Sequence, residues 1–536
     1  MQFDSMINRY PSKRNVVFGA KGMVATSQPL AAQAGLEILR RGGNAIDAAI
    51  ATAVCLTVVE CGFNGIGGDA FALVWTGGKL HGLNASGPAP EKLSAELLWE
   101  KGFKEMPKYG FEPVTVPGAP SAWAELSQKY GRIPLKEVME PAIRYAREGH
   151  PVSVNNAAKW QYLYDVYRKA FHGDAFKYWF EMFSVNGAAP NAGDIWKSED
   201  MAKTLEEIAA TNAESFYRGN LMEKIVAYSD QYGGYFQASD FERFRPEWVD
   251  PISVNYRGYD VHEIPPNGHG ISALMALNIL KGFEFSDNRE SVDVYHKQIE
   301  AMKLAYVDAK HYVTDPRFMK VTVKDLLSET YAEERRKLIT DKARIPEVGK
   351  PQSGGTVYLC TADDEGNMVS YIQSNYQCWG SGLVVPGTGI ALHNRGNNFS
   401  LQPGHDNLLA GGKKPYHTII PGFMSKDGKP VGPFGVMGAF MQPQGHVQVV
   451  TNTVDFHMNP QDALNAPRWQ WMHDNVLDLE YDVPQEIAQG LAARGHQINM
   501  HHSYTTFGKG EIIWRMDNGT FAGGAEPRAD GTVAAW

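Results

Sequence analysis

The chain has 536 residues, of which 43% are hydrophobic and 21% charged. This is ordinary globular composition, long enough for a large core. A formal net charge of −9 gives no general pull toward nucleic acid or an acidic membrane, while small basic or zwitterionic ligands stay open.

The first residues, MQFDSMINRYPSKR, hold no apolar run of signal-peptide length. Residues 23–60 read as two helices. Ser27 is the expected N-cap of the first, Pro29 sits in its first turn, and Gly42-Gly43 stops it. Asn44 caps the second, with Asp47 completing a capping box. That helix, Ala45 to Val59, is apolar on most faces and is expected to be buried. Asp47 interrupts it and it is too short to span a bilayer. A glycine loop, Gly62 to Asp69, leads into a strand at 70–75, a turn at Thr76-Gly77-Gly78-Lys79, and a second strand at 80–84. The stretch from about 120 to 350 reads as mainly helical, and residues 340–355 as a polar linker. After it the character turns to β-structure. Strands are expected at 356–362, 368–372, 389–393, 418–424 and 512–516. The four cysteines, Cys55, Cys61, Cys360 and Cys378, form no CxxC pair and are sparse for a disulfide scaffold. The expectation is a soluble cytoplasmic protein with reduced thiols.

The glycine loop lacks the lysine of a P-loop and follows a helix, so it reads as a turn where backbone approaches backbone. No zinc-protease HExxH and no GxSxG nucleophile elbow occurs, and the sixteen histidines show no ligand spacing. The informative point is Ser353-Gly354-Gly355-Thr356, where a linker ending in glycine meets a strand opening on threonine. By itself this is a loop entering a strand. Its chemical reading needs the bond before Thr356 to be cut. Thr356 then carries a free α-amine, of reference pKa about 8, beside its own hydroxyl. One residue would supply both nucleophile and base.

With those residues in hand, the sequence resembles the γ-glutamyltranspeptidase family of N-terminal-nucleophile hydrolases. The resemblance runs through Gly22 to Thr26, Gly42 to Ala49, Gly65 to Asp69, Val116-Pro117-Gly118, Lys129-Tyr130-Gly131 and Asp315-Pro316. It continues at Thr356, Asp364 to Ser370, and Asp482 to the tail with Glu526-Pro527-Arg528. It implies an α+β fold, a four-layer αββα sandwich with two central antiparallel sheets. It implies self-cleavage between Gly355 and Thr356 into a large chain, 1–355, and a small catalytic chain, 356–536, that stay packed as one unit. It implies an acyl-Thr356 intermediate and neither metal nor organic cofactor. Its partners would be a small amide and the two chains of one precursor, with no nucleic acid and no membrane; a homodimer stays open.

Carried over position by position, backbone N–H groups at Gly438 and Ala439 form the oxyanion hole, and Ser374 supports the nucleophile. The substrate-reading positions depart from the family pattern. Ser86 stands where the family has an arginine for the glutamyl carboxylate. Asn398, beside Asn397, replaces the aspartate for the α-amine. His417-Thr418 replaces a serine pair, Tyr376 an asparagine, and Arg395 a glutamine. Arg395 has two readings, a bidentate carboxylate donor or a structural salt bridge. His417 either contacts substrate or fills space. The pattern resembles the branch with oxamate amidohydrolases and cephalosporin acylases. It suits an acyl group with a carboxylate and no α-amine, while glutathione and other γ-glutamyl compounds remain the default family substrate. The alternative of another class is an uncleaved, inactive relative that binds ligands.

Overall fold

The computed structural model describes residue 10 and residues 14–346, 356–503 and 506–536. Gly355 and the linker before it, from 347, lie outside the described residues. Two seven-stranded antiparallel sheets make the centre. One runs, in spatial order, Val17–Gly19, Phe521–Ala525, Lys509–Arg515, Lys429–Met437, Gly422–Lys426, Tyr259–Glu263 and Ile252–Tyr256. The other runs Thr532–Ala535, Gly22–Thr26, Val357–Asp363, Met368–Ser374, Asp69–Thr76, Lys79–Ala85 and Glu247–Val249.

The strands alternate, so each sheet has an inner and an outer face. Tyr358, Ile372 and Phe71 of one sheet meet Phe423, Met437 and Ile513 of the other in a buried inter-sheet core. The outer faces are apolar too and take helices. Val357, Leu359, Val369 and Ala72 pack under Ala45–Val59 and Ala119–Tyr130. Val254, Val261, Phe434 and Val436 pack under Gly270–Leu280, Val292–Tyr312 and Met441–Val454. The result is the four-layer αββα sandwich. Each sheet contains strands from before and from after residue 356, so the two segments share one core.

Local chemistry sets the boundaries. Asn44 and Asp47 form the capping box of Ala45–Val59, and every residue of that helix is buried. The first helix, Pro29–Arg40, is capped by Gln28 rather than Ser27. The Gln28 side chain accepts from the N–H groups of Leu30 (2.6 Å) and Ala31 (3.3 Å). Ser27 lies one residue before the cap, and its hydroxyl donates to the buried Glu60 carboxylate. The middle of the chain also corrects the sequence reading, since it completes both sheets with Glu247–Val249, Ile252–Tyr256 and Tyr259–Glu263. Their period-two pattern, turning at Arg257-Gly258, is short and sits among helices. The strand expected at 389–393 shrinks to Ile390–Ala391, and the one at 418–424 starts only at Gly422. Residues 418–420 instead spend their polar groups on the site described next. Among the described residues no helix is long and apolar enough to cross a membrane.

Candidate active site

Thr356 opens the central strand Val357–Asp363 of the second sheet and is 2% exposed. The neighbouring strand is in register with Val357 opposite Gln373, which puts Ser374 beside Thr356 on the inter-sheet side. Their hydroxyl oxygens are 3.1 Å apart. Ser374 Oγ also accepts the Tyr376 N–H at 2.7 Å. That bond goes with a left-handed Tyr376 backbone (φ 69°), a conformation a non-glycine residue holds only when its surroundings fix it.

Across the inter-sheet space, the strand Lys429–Met437 ends at Gly438-Ala439, and the helix Met441–Val454 begins two residues later. Gly438 and Ala439 have φ of 135° and 49°. Their carbonyls accept from Met441 N (2.9 Å) and Gln442 N (3.1 Å), which starts the helix. No group among the described residues accepts from their own N–H groups. Consecutive N–H groups in such a turn, at a helix N-terminus, form a concavity for negative charge. Gln442, in the first helical turn, places its Nε2 3.5 Å from Thr356 Oγ1, while its Oε1 accepts from Ile420 N at 2.9 Å.

A second cluster adjoins the first. Asp69 faces Ser374 in the sheet register. It is delivered by the glycine loop, which runs against other backbone as the sequence predicts. A Cβ on Gly67 would meet the Ala391 carbonyl oxygen at 2.3 Å, and one on Gly68 the Ser374 oxygen at 2.7 Å. The Asp69 carboxylate accepts from Arg395 Nε (3.0 Å) and Nη2 (3.3 Å) and from His417 Nε2 (2.6 Å). Arg395 Nη1 donates to Thr418 Oγ1 at 2.6 Å, and its guanidinium lies 4.6 Å from the centre of the Tyr376 ring. Asp69, Arg395 and His417 are all fully buried.

Burial by itself would raise the Asp69 pKa, but Arg395, His417 and His393 outweigh it and hold the carboxyl well below its usual range. The His417 imidazole is pushed down to about 4, first by burial and then by Arg395, so it is neutral near pH 7. The Tyr376 phenol is pushed up to about 12 by burial. The cluster therefore carries one negative and one positive charge. A guanidinium has five N–H donors. Three are taken by Asp69 and Thr418, and the remainder have no acceptor among the described residues.

The other expected positions separate. Ser86 donates to Asn84 Oδ1 (2.7 Å) and receives Asn267 Nδ2 (3.3 Å). This knot touches the charged cluster through the backbone, where His417 N donates to Asn267 O at 2.9 Å. Asn397 is spent on the Met106 (2.8 Å) and Pro107 (3.1 Å) carbonyls and stays outside. Asn398 shares a 3-10 turn with Arg395, and its buried Nδ2 has no partner among the described residues. Sequence reasoning missed Asp69 as a charged anchor, and it missed Gln442. The only signal for Gln442 is its place one turn after Gly438-Ala439. Among the described residues one group has metal-ligand geometry, His296, Glu300 and His496. It is already occupied internally: Lys303 Nζ lies 2.6 Å from Glu300 Oε1, and the two imidazoles bond each other at 2.9 Å. This knot pins the chain before the linker, through the Thr340 carbonyl (2.7 Å) and Arg344 N (3.2 Å).

A gamma-glutamyltranspeptidase family model matches residues 31–536. The chain belongs to the γ-glutamyltranspeptidase family. It is an enzyme of that N-terminal-nucleophile amidohydrolase and transferase group. It is similar to the glutathione hydrolase-like YwrD proenzyme of Bacillus subtilis (strain 168), with 35% identity over 96% of this chain and 99% of the relative. It is also similar to the oxamate amidohydrolase proenzyme of Klebsiella pneumoniae, with 31% identity over 96% and 98%. Among solved structures, the crystal structure of cephalosporin acylase from Bacillus halodurans superposes with a TM-score of 0.96 at 58% identity, covering 100% of this chain and 99% of that one. The two clusters thus sit side by side in a member of a family of amide-cleaving enzymes, at the threonine that precedes a central strand.

Proposed function

We propose that this enzyme cleaves itself before Thr356 and then hydrolyses a small amide whose acyl group carries a carboxylate but no α-amine. A glutaryl-type or cephalosporin-type side chain fits that description. The observation that carries the reading is Arg395, a buried guanidinium anchored by Asp69 and Thr418 with donors to spare. A substrate carboxylate would take those donors, so the carboxylate-donor and salt-bridge readings of Arg395 become two halves of one arrangement. Asn398 supports the missing amine, because an amide there is no counterion for an ammonium group. The similarity to cephalosporin acylase points the same way.

In the proposed reaction, cleavage yields chains 1–355 and 356–536, which their interleaved strands would keep together. The freed α-amine of Thr356 takes the Oγ proton as Oγ attacks the amide carbonyl. Negative charge on the carbonyl oxygen is met by the Gly438 and Ala439 N–H groups. The amine product leaves, and water hydrolyses the acyl-Thr356 ester. A cytoplasmic catabolic setting belongs to the same proposal.

A second reading, a γ-glutamyl substrate such as glutathione, is favoured by the family and by the glutathione hydrolase-like relative. Side-by-side turnover of glutaryl-, oxamate- and γ-glutamyl-amides separates the two. The glutaryl amide is expected to be the best substrate, with Asn398→Asp shifting preference toward γ-glutamyl. Faster γ-glutamyl turnover by the unaltered enzyme would overturn the first reading.

A further inference from the structure

Gln442 is fully buried, and its two ends face different partners. The Ile420 N–H can only donate, so the group it meets at 2.9 Å must be the amide oxygen of Gln442. That fixes the other end. The NH2 group points at Thr356 Oγ1, at 3.5 Å, and has no other acceptor among the described residues. A glutamine needed only to satisfy Ile420 would leave a buried donor without purpose, and unpaired buried donors are costly and rare. Its placement at the start of a 14-residue helix adds the positive end of the helix dipole on the same side.

We infer that the Gln442 side-chain amide is a catalytic donor to Thr356 Oγ, acting when the bond between the acyl carbon and Oγ breaks. The inference rests on Thr356 as the nucleophile. In deacylation, a water oxygen bonds to the acyl carbon and the water gives a proton to the Thr356 α-amine. The C–Oγ bond then breaks, its electron pair stays on Oγ, and the α-ammonium returns the proton to that oxygen. The products are the free acid and free Thr356. Charge gathers on Oγ in this step, and a hydrogen bond to a charged oxygen is about twice as strong as one to a neutral oxygen. The long contact in the uncut chain is a ground-state contact that tightens as charge develops. The same donor serves self-cleavage, where the segment ending at Gly355 is first transferred to Oγ as an ester and then released by water.

Two variants test this. Gln442→Glu keeps an acceptor for Ile420 and turns the donor into an acceptor. Gln442→Met fills a similar volume without polar groups. With glutaryl-p-nitroanilide, the burst of p-nitroaniline reads acylation and the steady state reads deacylation. Both variants are expected to keep burst rates within a few-fold and to slow deacylation roughly 10- to 100-fold. KM falls with kcat, and acylated small chain accumulates by intact mass. A residue that only supports the fold would slow acylation equally and accumulate no acyl-enzyme. Deacylation within two-fold of the unaltered enzyme in folded variants would overturn the inference. So would loss of folding in both, because that would make Gln442 structural; if only Gln442→Met fails to fold, Gln442→Glu decides. If the unaltered enzyme leaves glutaryl amides untouched, the substrate reading fails alone. Self-cleavage then carries the test. The variants should hold a hydroxylamine-sensitive ester precursor, and prompt complete cleavage in both would refute the role of Gln442.

Discussion

The two clusters that meet at the Ser374–Asp69 register pair are built on opposite principles. The groups gathered around Thr356 are neutral: a serine hydroxyl, two backbone N–H groups and a glutamine amide. Around Asp69 the working parts are full charges, buried and matched one to one. Oriented dipoles cost little to bury and act on whichever amide arrives. Buried charges survive only when paired, and a pair with donors left over selects for a complementary anion. Under the proposed function the neutral cluster would hold the chemistry and the charged one the choice of substrate.

The sharpest break in this comparison is Thr356→Ala. It should abolish self-cleavage, leaving one band on a denaturing gel, and lower amide turnover by roughly 10⁴-fold or more. Stability should hardly change, and surviving cleavage or turnover would remove Thr356 from the mechanism.

On the charged side the effect should appear first in stability. Arg395→Met leaves Asp69 buried without its guanidinium and should cost about 3–5 kcal/mol in denaturant unfolding. The double variant Asp69→Asn/Arg395→Met should regain most of that loss but not turnover of a carboxylate amide. Regained turnover would mean that Arg395 serves only the fold.

Acid should separate the clusters again. His417 titrates near 4 in the folded protein, below its ordinary 6.5, facing Asp69, Arg395 and His393. The unfolded chain therefore takes up that proton first. The stability tied to neutral His417 is complete above pH 6.5 and is lost as pH falls from 6.5 through about 4. The Asp69 contribution holds down to its ordinary 3.8 and fails only below that. Thermal midpoints measured from pH 7 to 4 should decline less steeply in His417→Gln. An unchanged slope would show that His417 is not part of the acid response.

The smallest expected effect lies in the neutral cluster. Ala439 holds a φ of 49°, which costs a non-glycine residue on the order of 1 kcal/mol. Ala439→Gly should keep activity within a few-fold and raise the thermal midpoint slightly. A large loss of activity would mean that the methyl group itself shapes the oxyanion turn.

Much of this was legible beforehand. The capping box at Asn44, the turn at Gly77-Gly78 and the strand hairpin after Thr356 are local, and the residues that form them adjoin in sequence. The chain-wide resemblance to the family singled out Thr356, Ser374, Gly438 and Ala439, and the first two lie side by side. Ser27 misled because the cap falls one residue later, at Gln28, while the Ser27 hydroxyl is turned to Glu60, 33 positions away. Asp69 and Gln442 were silent because an aspartate after glycines and a glutamine in a helix have no distinctive pattern.

The sequence by itself determined the family and the residue that opens the strand Val357–Asp363, since these follow from motifs in a fixed order. Only the tertiary structure decided that Arg395 is anchored by Asp69, that His417 is turned onto the same carboxylate and Asn397 away from it, and that Gln442 points at Thr356. Those pairings join residues from 86 to 348 positions apart. The physical reason is that buried charges and donors settle where their partners are, and the sheet register, not the neighbouring sequence, brings those partners together.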